Sequence, residues 1–381
     1  MFFILASVIG IAASVITIKT LIGYTPMAWY YKVLISLGIV FCWFGHSVLR
    51  LFHHNDWLPA QVYNALAFIA YVGLGFGFIL LVLLIVRDFS WFATYGISKI
   101  FKSGYSDKLN PFDSYYLKVA NIATVVIALL LSIWSVYEGL KFPDIKNITI
   151  QDAKIKSPFK LVMLSDLHIN RTTSAERISK LVNNVNEIKP DAIVIVGDLV
   201  DEKPAVIDKQ MQALSELKAK HGIYTVFGNH DFYSGMFPWF KRFAELNLGI
   251  LVNSGMPIDN QIYIAGIPDV SMERMSNLVQ INLSKALRNN TDNLYSILLS
   301  HTPKFTDTPI SGVDLQLSGH THGGQIFPFH LLVKSANKYL SGLYDEDGYK
   351  IYVSRGAGFW GPPMRLFAPS EITVINLEPK Q

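Results

Sequence analysis

In Phe159-Lys160-Leu161-Val162-Met163-Leu164-Ser165-Asp166-Leu167-His168, an apolar run breaks off into a serine, an aspartate and a histidine. The run Phe159–Leu164 has the length and composition of a strand buried on both faces. Asp166 and His168 are one residue apart, and alternate side chains of an extended segment share a side, so both can face one cation. The same arrangement recurs along the chain. Ala192–Val196 runs into Gly197-Asp198-Leu199-Val200-Asp201, and Ile223–Phe227 into Gly228-Asn229-His230-Asp231. Tyr295–Leu299 runs into Ser300-His301, and Val313–Leu317 into Gly319-His320-Thr321-His322-Gly323-Gly324-Gln325. Taken alone, Asp198 or Asp231 is as easily a helix cap, and His230 or His301 more easily a hydrogen-bonded loop histidine. Repetition at five strand tips outweighs those explanations, because active sites of open sheets collect at the carboxyl ends of strands.

Between and after these strands come amphipathic stretches, Ser174–Ile188 and Ile207–Lys220, and further strand candidates at Ile262–Ala265, Ile351–Val353 and Ile372–Ile375. From about Ser157 onward the alternation predicts an α/β or α+β sandwich with a mixed sheet.

The first third differs in kind. Four apolar segments, Phe2–Ile18, Ala28–Leu49, Val62–Val86 and Leu117–Val136, approach or exceed the ~20 residues a helix needs to cross a bilayer. Trp29, Tyr30, Tyr31, Trp91, Tyr115 and Tyr116 stand at their ends, as interfacial aromatics do. No Lys or Arg precedes the first segment, so it reads as a retained span and not a cleaved signal. The expected organisation is a membrane region over 1–140, a linker over 141–157 and a catalytic domain over 158–381. His46 near the end of the second span is expected to reach the headgroups. Lys19 and Lys32 flank the first loop, and Arg87, Lys99, Lys102, Lys108 and Lys118 the third. The second has Arg50, His53, His54 and Asp56. This bias predicts loops one and three in the cytoplasm and the C-terminal domain outside, although Lys141, Lys146, Lys154 and Lys156 pull the other way. A net charge of +4 offers no electrostatic case for a nucleic-acid partner. The single cysteine, Cys42, lies in an apolar run, so neither a disulfide framework nor a thiolate metal site is available.

A mixed carboxylate, imidazole and amide set suits Mn, Fe or Zn, and there are enough ligands for two divalent cations with one carboxylate bridging. Together Asp166-Leu167-His168, Gly197-Asp198, Gly228-Asn229-His230-Asp231, His301 and Gly319-His320-Thr321-His322 resemble the calcineurin-like metallophosphoesterase superfamily, over about Lys160 to Leu377. The resemblance implies a four-layer α/β/β/α sandwich, here preceded by an α-helical transmembrane region. It implies that Asp166, His168 and His322 bind one metal, that Asn229, His301 and His320 bind the other, and that Asp198 bridges them. His230 would sit near the substrate phosphate and protonate the leaving oxygen or stabilise charge, with Asp231 orienting it.

Departures narrow the branch. Glu202-Lys203 follow Asp201 where the family's Ser/Thr protein phosphatases have Arg-Gly. Purple acid phosphatases have Tyr at the Asp201 position and lack a histidine like His168. Gly323-Gly324-Gln325-Ile326, Tyr352-Val353-Ser354-Arg355-Gly356-Ala357-Gly358, Pro363-Met364-Arg365 and Pro369-Ser370-Glu371-Ile372 resemble the bacterial membrane-associated or exported phosphodiesterases. Arg355 and Arg365 are candidates for an anionic substrate, or for structural pairing with a carboxylate such as Glu371. The aromatics of Phe232–Phe240 and Phe359–Trp360 are candidates for a lipid-facing rim or for ordinary packing. The expected partner is a phosphate-ester substrate, a phosphodiester or relative of it from a lipid or envelope component, met at a bacterial cytoplasmic membrane. Two alternatives stay open: a nucleotide-lipid pyrophosphohydrolase with a cytoplasmic site, and a non-catalytic receptor or scaffold on the same fold.

Overall fold

The computed structural model describes residues 2–23, 25–51, 59–101, 110–111, 113–275, 279–306 and 310–380. It divides into two compact units, Met1–Leu140 with Gly361–Leu366, and Lys141–Trp360 with Phe367–Gln381.

The first unit is helical: α1 (Phe2–Ile18), a π-helical turn (Lys19–Gly23), α2 (Trp29–Leu51), α3 (Ala60–Ile100) and α4 (Ser114–Leu140). Among the described residues, four helices here are long and apolar enough to cross a membrane. α3 runs well past the expected end at Val86. Its 41 residues span roughly 60 Å, about twice a bilayer's apolar core. Arg87 therefore lies inside a helix and not in a loop. It is tolerated there because its guanidinium bonds the Asp88 carboxylate and the Asn121 amide oxygen at 2.7 Å. Asn121 in turn donates to the Leu21 carbonyl at 2.9 Å, where the π turn leaves backbone oxygens available. Lys99 also falls within α3, whereas His53, His54, Asp56, Lys102 and Lys108 lie outside the described residues. His46 is half-buried, its ring 5.7 Å from that of Tyr71. Gly361–Leu366 packs among these helices. A Cβ at Gly139 would stand 2.6 Å from the Pro363 carbonyl oxygen, and the Arg365 N–H donates to the Ser135 carbonyl at 2.8 Å.

The second unit holds two six-stranded mixed sheets. The strands are β1 (Asp144–Asp152), β2 (Phe159–Leu164), β3 (Ala192–Val196), β4 (Ile223–Val226), β5 (Gly249–Ile250), β6 (Ser254–Pro257), β7 (Ile262–Gly266), β8 (Tyr295–Leu299), β9 (Leu315–Ser318), β10 (Gly342–Glu346), β11 (Tyr349–Val353) and β12 (Glu371–Pro379). One sheet runs β1-β12-β2-β3-β4-β5 and the other β10-β11-β9-β8-β7-β6. Helices α5 (Ala175–Glu187), α6 (Pro204–Gln212), α7 (Asn229–Tyr233), α8 (Met236–Glu245), α9 (Val270–Met275), α10 (Leu283–Ala286) and α11 (His330–Asn337) complete it.

Alternation along the strands builds the layers. Leu161, Met163, Val194 and Val196 point into a core shared with Ile264, Ile297, Leu315 and Leu317 of the other sheet. Val162, Leu164, Ile193 and Ile195 point the opposite way, onto Leu181 and Val185 of α5 and Trp239 and Phe243 of α8. Beyond the second sheet, Tyr263, Ala265 and Leu298 pack on Ala286 of α10. The order is helix, sheet, sheet, helix, as the resemblance implied, and buried faces on both sides explain why the strands read as unbroken apolar runs.

Two segments differ from expectation. The stretch 141–157, expected as a linker, carries β1, which pairs in parallel with β12 from Asp144–Glu371 to Asp152–Pro379. The helix expected over Ile207–Lys220 ends at Gln212 and passes through a 3-10 turn, Ala213–Glu216. Asn186 supplies the reason. Its side chain donates to the Glu216 carbonyl and accepts from the Lys218 N–H at 2.8 Å each, taking backbone groups that a continuing helix would use.

Candidate metal centre

Every expected ligand leaves a strand at its carboxyl end. Asp166 and His168 follow β2, Asp198 follows β3, Asn229 opens α7 after β4, His301 follows β8, and His320 and His322 follow β9. The fold brings them together. Ligand atoms of Asp166, His168 and His322 lie within 4.8 Å of one another, as do those of Asp198, His301 and His320. His168, Asp198 and His230 form a third such set, overlapping the other two. His168 Nε2 stands 3.1 Å from His322 Nε2, His322 Nε2 stands 3.4 Å from Asp166 Oδ1, and His320 Nδ1 stands 3.0 Å from Asn229 Oδ1. Asp198 lies between the groups, with Oδ2 3.1 Å from His301 Nε2 and 3.7 Å from His168 Nε2.

The backbone is bent to reach this arrangement. Asp166, His168, Asp198, His320 and His322 all have φ between 46° and 69°, a left-handed region that costs of order 1 kcal/mol for residues with a Cβ. Two glycines are required by space alone. A Cβ at Gly228 would fall 2.2 Å from Asp198 Oδ1, and one at Gly319 would fall 2.3 Å from Asp166 Oδ2.

His301 shows that the set suits a metal ion. Its Nδ1 donates to the Val196 carbonyl at 2.8 Å, which fixes the tautomer and leaves Nε2 as a bare lone pair. That Nε2 is buried, faces Asp198 and has no hydrogen-bond partner. A buried acceptor aimed at a carboxylate is stable only with a proton or a cation between them. Electrostatics of the protein's own groups agree. Burial pulls His168 down, but the carboxylates of Asp201 at 2.8 Å, Asp198 and Asp166 together outweigh it and lift the imidazole to about 9. Burial likewise opposes a charge on His301, and the Asp198, Asp166 and Asp269 carboxylates together override it, raising that imidazole well above its ordinary value. Burial and then the Asp198 charge push Asp231 up to about 7. At His168 and His301 the surrounding carboxylates thus favour positive charge.

Asp231 is not the partner of His230. Its Oδ1 accepts from the Leu199 and Val200 N–H groups at 2.9 Å each, and its Oδ2 from the Gly228 N–H at 2.8 Å. It ties the loop after β3 to the start of α7. The group that orients His230 is Asp201, whose Oδ1 lies 2.8 Å from both His230 Nδ1 and His168 Nδ1. The signal for Asp201 is the spacing Gly197-Asp198-Leu199-Val200-Asp201, but only the folded loop shows which histidines it meets. The two arginines also part company. Arg355 Nη1 bonds Glu371 Oε2 at 3.3 Å, and its Cγ would lie 3.0 Å from a Cβ at Gly323, so it borders the loop of His322 while anchored to a buried carboxylate. Arg365 is wholly buried and belongs to the helical unit. Within Phe232–Phe240, Trp239 is core, its Nε1 donating to the Glu202 carbonyl at 2.9 Å, while Tyr233 and Phe237 are exposed.

Residues 159–324 match the calcineurin-like phosphoesterase family. An uncharacterized metallophosphoesterase of Campylobacter jejuni is 31% identical over 100% of this chain and 98% of its own length. The chain belongs to the calcineurin-like metallophosphoesterases. An uncharacterized metallophosphoesterase of Helicobacter pylori is 40% identical over 67% of this chain and 69% of its own length. A Danio rerio relative named as a transmembrane protein with metallophosphoesterase domain is 30% identical over 68% of this chain and 62% of its own length. As in that relative's name, a metallophosphoesterase domain here shares a chain with apolar helices fit to span a membrane.

Proposed function

We propose that this metallophosphoesterase hydrolyses a phosphodiester or related phosphate ester of a lipid or cell-envelope component, at a centre of two divalent cations drawn from Mn, Fe or Zn. The observation that carries this is the pair of ligand groups, Asp166–His168–His322 and Asp198–His301–His320, with Asp198 facing both. Asp166, His168 and His322 would hold one cation, Asn229, His301 and His320 the other, with Asp198 shared between them. Such cations would supply Lewis acidity, toward water and toward phosphate oxygens. Asn229 suits its place because a neutral amide ligates without cancelling their charge.

The remaining work falls to the protein's own groups. His230 is partly exposed and fixed through Nδ1 by Asp201, which leaves Nε2 to give a proton to the departing alkoxide. Arg355, steadied by Glu371, offers a guanidinium to phosphate oxygens. The domain expected over 158–381 also takes in β1, with the spans of the first 140 residues holding it at a bacterial cytoplasmic membrane, on the extracytoplasmic side. Assaying the purified full chain against nitrophenyl mono- and diesters with Mn, Zn or Mg tests the reaction. Metal-dependent hydrolysis abolished by chelator is expected, and no hydrolysis with any metal overturns it in favour of a receptor or scaffold.

A further inference from the structure

The second unit carries a surface that its own packing leaves unexplained. None of the eight residues of α11 is buried, and Leu331 and Leu332 are 63% and 66% exposed. Short helices owe most of their stability to an apolar face packed against something, and here that face has no cover among the described residues. Phe327 and Phe329, just before the helix, are also exposed, and Phe327 meets Phe367 edge-on at 5.8 Å between ring centres. Phe367 is 71% exposed and sits at φ 61°, a region bulky residues avoid. A single exposed leucine is ordinary, but a contiguous group of this kind marks an interaction surface.

This surface begins at the edge of the metal cluster. A Cβ at Gly324 would lie 2.3 Å from the Cα of His330, so the first turn of α11 rests on the loop that presents His320 and His322. Trp360 links the two regions. Its carbonyl accepts from Gln325 Nε2 at 2.8 Å and its N–H donates to Gln325 Oε1 at 2.9 Å, while its ring lies 6.1 Å from that of His230.

Composition and connectivity name the occupant. Residues 326–340 contain Lys334 and Lys338 and no Asp or Glu, and with Lys338 paired to Glu346 at 2.8 Å it is Lys334 that sets positive charge beside the aromatic and leucine side chains. That is the make-up of an interfacial segment drawn to acyl chains and anionic headgroups. The chain passes directly from Leu140, the last residue of α4, to Lys141 of the second unit, and Gly361–Leu366 belongs with the apolar helices immediately before Phe367. The second unit is thus joined directly, at both places, to the segments read as membrane spans.

We propose that α11, Phe327, Phe329 and Phe367 seat in the headgroup–acyl boundary of the membrane, so that the metal cluster acts on the phosphoester of a lipid held in that boundary. The second half of this statement rests on the phosphoesterase reading, and the first half does not.

The test uses the full chain in vesicles of phosphatidylglycerol and phosphatidylethanolamine. In a Cys42→Ser background, Leu331→Cys, Leu332→Cys and, as an exposed control, Lys209→Cys are each labelled with an environment-sensitive fluorophore. Labels at the two leucine positions are expected to shift to the blue and to lose intensity when spin-labelled lipid is added, while the label at position 209 does neither. Labels that behave like the control overturn the proposal, and so does a blue shift without quenching by lipid, which means that protein covers the surface. Leu331→Glu/Leu332→Glu supplies the kinetic arm. It is expected to keep wild-type turnover of a soluble nitrophenyl phosphodiester and to lose turnover of a fluorescent phospholipid in the vesicles. Equal turnover of the vesicle lipid by variant and wild type overturns the lipid half, as does wild type that cleaves the soluble ester and leaves the lipid intact. Failure of wild type on both substrates counts against the phosphoesterase reading, and lipid quenching still decides the surface.

Discussion

Asp198 lies between the two ligand groups: Oδ2 faces His301 and His168, and Oδ1 accepts from the His230 N–H at 2.8 Å. Asp198→Asn removes a bridging charge shared by both positions, whereas His168→Ala removes one ligand of one position. Metal analysis is therefore expected to find Asp198→Asn more depleted than His168→Ala, and full occupancy in Asp198→Asn overturns the bridging assignment. The acid role of His230 has its own signature. Loss of a general acid costs about 10²–10⁴-fold, and less where the leaving group needs little protonation. His230→Ala is expected to retain its metals, to fail with alkyl esters and to suffer less with nitrophenyl esters. Asp201→Asn, which keeps the shape of the orienting side chain and removes its charge, is expected to show the same leaving-group dependence, with a loss nearer 10–100-fold. Equal slowing of both substrate types in His230→Ala points to charge stabilisation instead. The ligands themselves were legible in the sequence because each follows directly on an apolar run. The Asp201–His230 contact joins residues 29 positions apart, one in the loop after β3 and the other in α7, and no local pattern distinguishes it from Asp231 standing next door.

At the level of elements, Asp231 acts as a brace. Its carboxylate is fully buried and satisfies three backbone N–H groups, from Leu199, Val200 and Gly228. An orphaned buried donor costs about 1–3 kcal/mol, so Asp231→Ala is expected to lose at least ~3 kcal/mol of stability. Denaturant unfolding of the metal-free protein measures this directly, and unchanged stability would return Asp231 to a purely catalytic role. Strand β1 shows where local pattern runs out. Its sequence, Asp-Ile-Lys-Asn-Ile-Thr-Ile-Gln-Asp, has the period of a strand, but only Ile150 is buried, because it is an edge strand with water along much of its surface. Beside runs such as Ala192–Val196, buried throughout, so polar a segment reads as linker. The end of α6 was unreadable for a different reason. Ala213–Lys220 has good helical propensity, and the side chain that stops it comes from α5, 30 residues earlier.

For the whole molecule the open matter is which side of the membrane the metallophosphoesterase faces. Lys19 in the π-helical turn and Lys32 in the first turn of α2 flank the first connection, and Lys99 and Lys118 lie at the facing ends of α3 and α4, while Arg50 is the basic residue in the last turn of α2. Basic residues in short connections orient a bundle toward the cytoplasm, and a large folded domain crosses largely regardless of its own charge. Lys141 and Lys154 weigh less on that account. Both lie in or beside the domain and are paired there, with Asp144 at 3.0 Å and Asp314 at 2.8 Å. The domain is accordingly expected outside. A cysteine in place of exposed Lys209, in a Cys42→Ser background, is expected to react with a membrane-impermeant thiol reagent on intact cells. Reaction only after lysis places the domain in the cytoplasm. That outcome would leave the metal assignments untouched and change the substrate class, since nucleotide-linked lipids are met on that side, and a pyrophosphate-linked nucleotide lipid would become the first substrate to assay.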